Sequence, residues 1–467
     1  MKIEEKDINY MKHSLIDTIG RVFQYNTGIY RGIYPLQEPY IRRLFDCGLI
    51  AELMENQLFP ETTITNSITE DFTLVLQHEP LFISYPHEWT FDMLRDAALA
   101  TLKINDIALK YGYQLKDAHG FNILFKNNRP YFIDIGSFIK KHSDAFLPTT
   151  EFLQAFCLPL VLMSKNETYL AHKLLSDPYF PSSKVLVGAM PFSLYKNICY
   201  FYELIIHFFN YPIRFPLNKY TFRIAKFILK IYLKIALKLK INTPLMEINL
   251  SKNAFSLLKR LQYKHNSLWA NYHKDYFKDN KIQTTERFDY ILKAVKSLNN
   301  TSSVLDIAAN QGLMPILLHR DIGFKKNIHL DYDVNACNDA YLFYTQNNLP
   351  IDIICTSFLE LMNDKSLCDK LKSDIVLALA LTHHLILSQN IALSALFNTL
   401  NDLTHQYILV EFMPLGLWNG YNAPALPDWY NLNWFRAHFE KHFTLISENQ
   451  IETNRILFIG KKINSQF

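Results

Sequence analysis

The chain has few cysteines, and none of them are paired by spacing: Cys47, Cys157, Cys199, Cys337, Cys355 and Cys368 contain no C-x-x-C. That argues against a zinc site or a disulfide framework and favours free thiols in a reducing cytoplasm. No run reaches eighteen uncharged apolar residues, so a membrane span is not expected. The opening M-K-I-E-E-K-D-I-N-Y-M-K carries acidic residues without a long apolar region, unlike a signal peptide. An excess of either charge is also missing. Lys and Arg number 48 against 44 Asp and Glu, a formal net charge of +4, which gives no ground for wholesale nucleic-acid binding. A cytoplasmic protein with no nucleic-acid partner and no metal is expected.

What is present is a foldable chain. Its 467 residues allow two or three domains with sizeable cores, and 49% hydrophobic with 14% aromatic residues argues against extended disorder.

The most informative stretch is V-L-D-I-A-A-N-Q-G at 304–312. An apolar run broken by Asp306, then Ala308, Ala309 and Gly312, then a helical apolar pattern from Met314 to His319, reads as strand, tight turn and helix start. Small residues there let a ligand approach the backbone, and the free N–H groups of a helix N-terminus favour an anionic group. A second strand, Ile328-His329-Leu330, ends at Asp331-Tyr332-Asp333, about twenty residues past the loop, where an acid can accept hydrogen bonds from ribose hydroxyls. The nearly all-apolar run at 374–381 opens into Thr382-His383-His384, and Tyr407-Ile408-Leu409-Val410 opens into Glu411. In an open α/β sheet, ligands bind beyond such carboxyl ends.

These blocks, V-L-D-I-A-A-N-Q-G, H-L-D-Y-D, D-I-V-L-A-L-A-L-T-H-H-L and I-L-V-E-F-M-P, resemble class I methyltransferases that use S-adenosylmethionine. More narrowly the chain resembles a family of two-part bacterial proteins, some described as nodulation proteins, whose C-terminal half is such a domain. F-I-S-Y-P-H-E-W at 82–89 and L-K-D-A-H-G-F-N-I-L-F-K-N-N-R-P-Y-F-I-D at 115–134 are similar to that family's N-terminal signature. The resemblance implies a C-terminal Rossmann-like domain with a mostly parallel seven-stranded sheet over 263–467. It implies S-adenosylmethionine as cofactor and a small-molecule or glycan acceptor. Asp306 would orient the methionine ammonium side, Gly312 would open space for the cofactor, and Asp331 would bind the ribose with Asp333 as its backup. Asn310 and Ala380 complete the loop side, and adenine would lie near Thr356, Ser357 and Phe358. His383 or His384 would act as base or acceptor-orienting group, with Glu411 as a second candidate or as a cap on the following turn. Where the usual loop has glycine two residues after the aspartate, this chain has Ala308.

The N-terminal part reads as an α+β domain over 1–145. A hairpin is expected over 20–33 with Asn26-Thr27-Gly28 as its turn, then a helix from Pro39 with Gly48 as a soft spot. Strands are expected at 72–76 and 81–84, and a helix over 91–111. Asp117 and Asn122, five apart, and Asp134 after a hairpin are spaced as in the catalytic loop and metal-binding aspartate of protein-kinase-like phosphotransferases. ATP and magnesium would bind there if the likeness extended to chemistry, with Arg31 standing where a kinase has lysine. No glycine-rich phosphate loop is visible. The same three residues could cap turns and end a buried strand. The bifunctional kinase and methyltransferase proteins that cap O-antigen polysaccharide are similar, with the domain order reversed.

A helical bridging segment is expected over 146–262. Within it Lys226, Lys230, Lys234 and Lys238 make a basic amphipathic helix, which can lie on an anionic membrane surface but reads better as a solvated face over a core. Trp269, Tyr272 and Tyr276 are candidates for a lid over the cofactor or for ordinary core aromatics.

Overall fold

A computed structural model describes residues 3–11, 14, 17–142, 148–177, 255, 258–263, 267, 277, 278 and 281–463. The four lysines of the basic helix, most of the bridging segment, and Trp269, Tyr272 and Tyr276 lie outside the described residues. The chain divides into two compact units. One is Met1–Pro80, Arg95–Ile123 and Tyr131–Tyr263, and the other is Leu81–Leu94, Leu124–Pro130 and Lys264–Phe467. Against the expected divisions at 1–145, 146–262 and 263–467, the stretches 81–94 and 124–130 thus belong with the C-terminal part.

The first unit contains β1 (Asn9–Tyr10), β2 (Gly20–Tyr25), β3 (Gly28–Ile33), β4 (Thr62–Ile64) and β5 (Leu74–His78) in an antiparallel sheet of order β1-β2-β3-β5-β4. The β2–β3 hairpin turns where the sequence predicts, with Asn26 in the left-handed region at φ 52°. Ile3, Phe23, Phe72 and Val75 pack on this sheet. Helices α1 (Glu38–Asp46) and α2 (Leu49–Glu55) are separated by Gly48 at φ 88°, so the soft spot is a complete break. Helix α3 (Phe91–Lys110) leads to β6 (Tyr113–Leu115), which pairs with β9 (Phe138–Lys140), while β7 (Ile123–Lys126) and β8 (Arg129–Phe132) form a hairpin between them. Helices α4 (Thr149–Phe152), α5 (Leu158–Ser164) and α6 (Thr168–Leu175) follow.

One strand expectation is corrected. Residues 81–84 form no strand; they make a single antiparallel bridge, Phe82 to Phe125.

The second unit is the expected open sheet. After a short ribbon, β10 (Phe277–Lys278) with β11 (Lys281–Ile282), and helix α7 (Glu286–Lys296), the strands are β12 (Ser303–Ile307), β13 (Lys326–Asp331), β14 (Asp352–Cys355), β15 (Ser373–Ala378), β16 (Thr404–Phe412), β17 (Phe443–Glu452) and β18 (Arg455–Lys462). Their order is β14-β13-β12-β15-β16-β18-β17, with the first five parallel and β18 antiparallel to both β16 and β17. Between them run α8 (Leu313–Asp321), α9 (Val334–Gln346), α10 (Phe358–Asn363), α11 (Lys365–Leu371), α12 (Leu393–Leu403) and α13 (Leu432–Phe439). Alternate residues of the central strands feed two cores. Leu305, Ile307, Val376 and Ala378 face one layer, and Val304, Ile375 and Leu377 face the other. A sheet covered on both faces reads as the unbroken apolar runs seen in the sequence.

The two N-terminal stretches in this unit are bound to it by polar and aromatic contacts. Lys370 on α11 donates to both oxygens of the buried Glu88 carboxylate at 2.6 and 2.8 Å and lies 4.8 Å from the centre of the Tyr85 ring. Asn338 on α9 exchanges two hydrogen bonds with Asp92, and Asn128 donates to the Leu349 carbonyl at 2.7 Å. Trp89, Phe125 and Tyr341 meet edge to face. Each large side chain buried in this way contributes about 1.5–3 kcal/mol. Residues 263–467 expressed alone should therefore melt at least about 10 °C below the full chain and bind a hydrophobic dye, measured by calorimetry and dye fluorescence. A fragment that melts with the full chain would contradict this assignment.

Candidate functional site

The order of strands reverses between β12 and β15: the chain runs outward from β12 to β13 and β14, then returns to lay β15 on the opposite side. Crevices at such switch points are where open α/β sheets hold ligands. Beyond β12, Ala308, Asn310 and Gly312 adopt φ of 62°, 53° and 79°, so three residues in five are left-handed. Gly312 is obligatory, because a β-carbon there would collide with the hydroxyl of the fully buried Tyr344. That hydroxyl is 2.9 Å from Nδ1 of the buried His329 and fixes the underside of the loop. Beyond β15, Ala380 is also left-handed at φ 51°, which ends the strand at Ala378 although the apolar run continues to Leu381. Alanine in this region costs about 1–2 kcal/mol, so strain is concentrated on both sides of the switch point.

Two buried carboxylates face this edge. Burial, then the charge of Asp331, push Asp306 well above the ordinary carboxylate range, with Arg287 opposing. Asp331 is pushed up to about 6 by burial, against the N–H groups of Asp333 and Asn310, which reach it at 2.8 and 2.7 Å. Each carboxylate oxygen retains acceptor capacity beyond one such bond. Asp333 is otherwise engaged: it caps α9 by accepting from Asn335 and Ala336. Ser357 likewise caps α10, its hydroxyl accepting from Glu360. Both expected ligand contacts are thus helix caps in this arrangement.

Glu411, expected as a second base or a turn cap, is neither. Its carboxylate is fully buried and takes a bidentate pair from Arg287 at 2.7 and 2.9 Å, one bond from Arg455 at 2.8 Å and one from the Ala380 N–H at 2.8 Å. Burial would raise its pKa; the two arginines and the Ala380 N–H outweigh that and hold it below the ordinary range. A carboxylate so engaged is a poor proton acceptor and a good anchor. Neither arginine carried a local sequence signal. Arg287 lies 124 positions from its partner, and Arg455 lies 44 away at the start of β18.

His383 is buried and its Nδ1 has no hydrogen-bond partner among the described residues, while its ring centre is 4.1 Å from that of His384. Burial, then the neighbouring His384 and Arg455, push His383 down to about 3; burial also lowers His384. Both rings are therefore neutral near pH 7, suited to orienting a hydroxyl more than to holding its proton.

In the first unit, hydrogen bonds join the loops that carry Asp117, Asn122 and Asp134, and of the four residues proposed for phosphotransfer Arg31 and Asp134 approach each other. The Ile133 N–H donates to the Asn122 carbonyl, and Ser137 exchanges hydrogen bonds with the Asp117 backbone, so the two loops are joined. Arg31 pairs with Asp17 at 2.5 Å and approaches Asp134 at 3.8 Å. Burial raises Asp134 above its ordinary range with Arg31 opposing, and the buried Asn122 Nδ2 has no partner among the described residues. Among the described residues no group of three or more His, Cys, Asp or Glu is arranged to hold a metal ion, and no helix is long and apolar enough to cross a membrane.

No protein-family model matches the chain. The nodulation protein NoeA of Rhizobium meliloti (strain 1021) is 25% identical over 435 residues, spanning 86% of this chain and 84% of that protein. Among solved structures, the PH0226 protein of Pyrococcus horikoshii OT3 is 15% identical, with 41% of this chain and 99% of that one aligned at a TM-score of 0.32. The N-methyltransferase NodS of Bradyrhizobium japonicum WM9 is 13% identical, with 38% and 94% aligned at 0.29. The methyltransferase domain of bacterial CtHen1-CN is 14% identical, with 38% and 97% aligned at 0.30. Scores this low carry no argument about function, and the fold rests on the sheet order itself.

Glu411→Gln should destabilise the protein by about 3–5 kcal/mol, because it leaves two buried guanidinium groups underpaired. The denaturant midpoint should fall accordingly. A midpoint unchanged within error would mean that the cluster does not organise this edge.

Proposed function

We propose that the C-terminal unit is an S-adenosylmethionine-dependent methyltransferase. The observation that carries this reading is the switch-point crevice, where a strained left-handed loop at 308–312 lies beside two buried carboxylates with raised pKa values. Neither buried acid has an ion pair of its own among the described residues, and a ligand that brings an ammonium and a sulfonium would supply one. The residues fit such a ligand: Asp306 would hold its cationic end, Gly312 leaves room at the loop, and Asp331 has acceptor capacity left for ribose hydroxyls. When bound, the cofactor supplies an already activated methyl group. The protein then has to align the acceptor and exclude water. Neutral His383, with its unpartnered Nδ1, would orient an acceptor hydroxyl, and Glu411 would position that region through Ala380 and Arg455. A glycan or small-metabolite acceptor fits the near-neutral charge.

A second reading concerns the first unit. The approach of Arg31 to Asp134, with the buried Asn122 Nδ2 unpartnered among the described residues, favours phosphotransfer with magnesium and ATP. The existing Arg31–Asp17 pair works against it by occupying the cation a phosphate would need.

Calorimetric titration with S-adenosylhomocysteine, with a parallel magnesium-ATP titration, separates these readings. Binding in the micromolar range, weakened at least about tenfold in Asp306→Asn, is expected. No binding at millimolar ligand would leave a non-catalytic scaffold with a degenerate cofactor fold.

A further inference from the structure

The loop that follows β16 and the turn between β17 and β18 enclose a cleft of about 430 Å³, lined by Met413, Trp418, Gly420, Glu452, Thr453, Asn454 and Arg455. Its size falls in the range of about 300–1,000 Å³ typical of small-molecule sites. The floor is built. Asn454, itself buried, accepts from the Leu415 N–H at 2.6 Å and donates to the Gly416 carbonyl, fastening the loop to the hairpin turn. Arg455 is held by Glu411 at 2.8 Å and by Glu452 at 2.7 Å, which leaves its Nη2 without a protein partner among the described residues. Trp418 has no aromatic partner among them and is 36% exposed, on a loop that also exposes Leu415, Tyr421 and Trp429.

The cleft adjoins the switch-point edge through one residue. Arg455 contacts Glu411, and Glu411 accepts from Ala380 at the end of β15. A ligand seated on Arg455 is therefore one side chain away from the backbone that closes the cofactor crevice.

We infer that this cleft is the acceptor site and that its ligand is a neutral glycan. The charges in and beneath it balance, Arg287 and Arg455 against Glu411 and Glu452, so neither an anionic nor a cationic ligand is favoured over a neutral one. A polyhydroxylated ring needs donors and acceptors together with an aromatic face. Arg455 donates, Glu452 accepts, and the Thr453 hydroxyl does both. The indole of Trp418 offers its electron-rich face to the slightly positive C–H face of a pyranose. This assignment rests on the methyltransferase reading for its chemistry. A sugar hydroxyl oxygen forms the new O–C bond with its lone pair, the C–S bonding pair stays on sulfur as a thioether, and the hydroxyl proton passes to water.

The test uses the full-length protein. Saturation-transfer NMR with lactose, cellotriose, maltotriose and N,N′-diacetylchitobiose is run without cofactor, beside calorimetry with S-adenosylhomocysteine. At least one oligosaccharide should bind saturably. Trp418→Ala should weaken it at least about tenfold and Glu452→Gln at least about threefold, while the binding of S-adenosylhomocysteine changes by less than about twofold. The two ideas fail separately. S-adenosylhomocysteine bound without any oligosaccharide, or oligosaccharide binding indifferent to both substitutions, overturns the cleft assignment and leaves the cofactor reading intact. Oligosaccharide bound through Trp418 without S-adenosylhomocysteine overturns the methyltransferase reading and the acceptor role with it, and leaves a glycan-binding cleft.

Discussion

A carboxylate buried on a central strand has to be neutralised where it stands, and Glu411 is neutralised from two directions. Arg287 reaches it from α7 and Arg455 from the start of β18, while its remaining capacity takes the Ala380 N–H. Four separate pieces of chain, α7, β15, β16 and β18, thus converge on one group. Removing water from these charges is expensive, and the arrangement persists because every partner is present. The consequence reaches the neighbouring crevice: the left-handed turn at Ala380 that ends β15 is held open by its hydrogen bond to Glu411. His383 and His384 follow that turn directly, so their placement derives from the same ion cluster.

On the other side of the switch point a different device does similar work. The 308–312 loop is carried over Tyr344 and His329, and its left-handed Asn310 is fixed by Asp331, which takes the Asn310 N–H. Ala308 and Ala380 lie one and two residues past the Ile307–Ala378 pair that ends the paired strands, both in a conformation that alanine adopts at a cost. One is anchored through Glu411, and the other sits beside the buried acids Asp306 and Asp331.

Much of this was legible in the sequence because periodicity and turn chemistry report local structure. The runs at 304–307, 328–330 and 407–410 lie inside β12, β13 and β16, and Gly48 marked a helix break. Asp331 stood out by its place at the end of β13, and Asp306 as the one carboxylate that breaks the apolar run of β12. What escaped was non-local. Nothing near Glu411 announced Arg287 or Arg455, so a saturated anchor read as a candidate base or a turn cap. The run at 374–381 looked like one strand because its apolarity outlasts the turn at Ala380. Residues 81–84 looked like a strand, whereas they make one bridge, and Glu88 and Trp89 just after them are held by Lys370 and Phe125 in the second unit. Asp333 and Ser357 show the converse problem, since a helix cap and a ligand contact call for the same residue types at the same strand ends.

The most direct test of the account is hydrogen–deuterium exchange of the full-length protein with and without S-adenosylhomocysteine. The account predicts slowed exchange confined to the backbone around 304–313, 328–333 and 378–383, the three carboxyl ends that frame the crevice. Exchange unchanged there at saturating ligand, or protection appearing instead around 117–137, would contradict it.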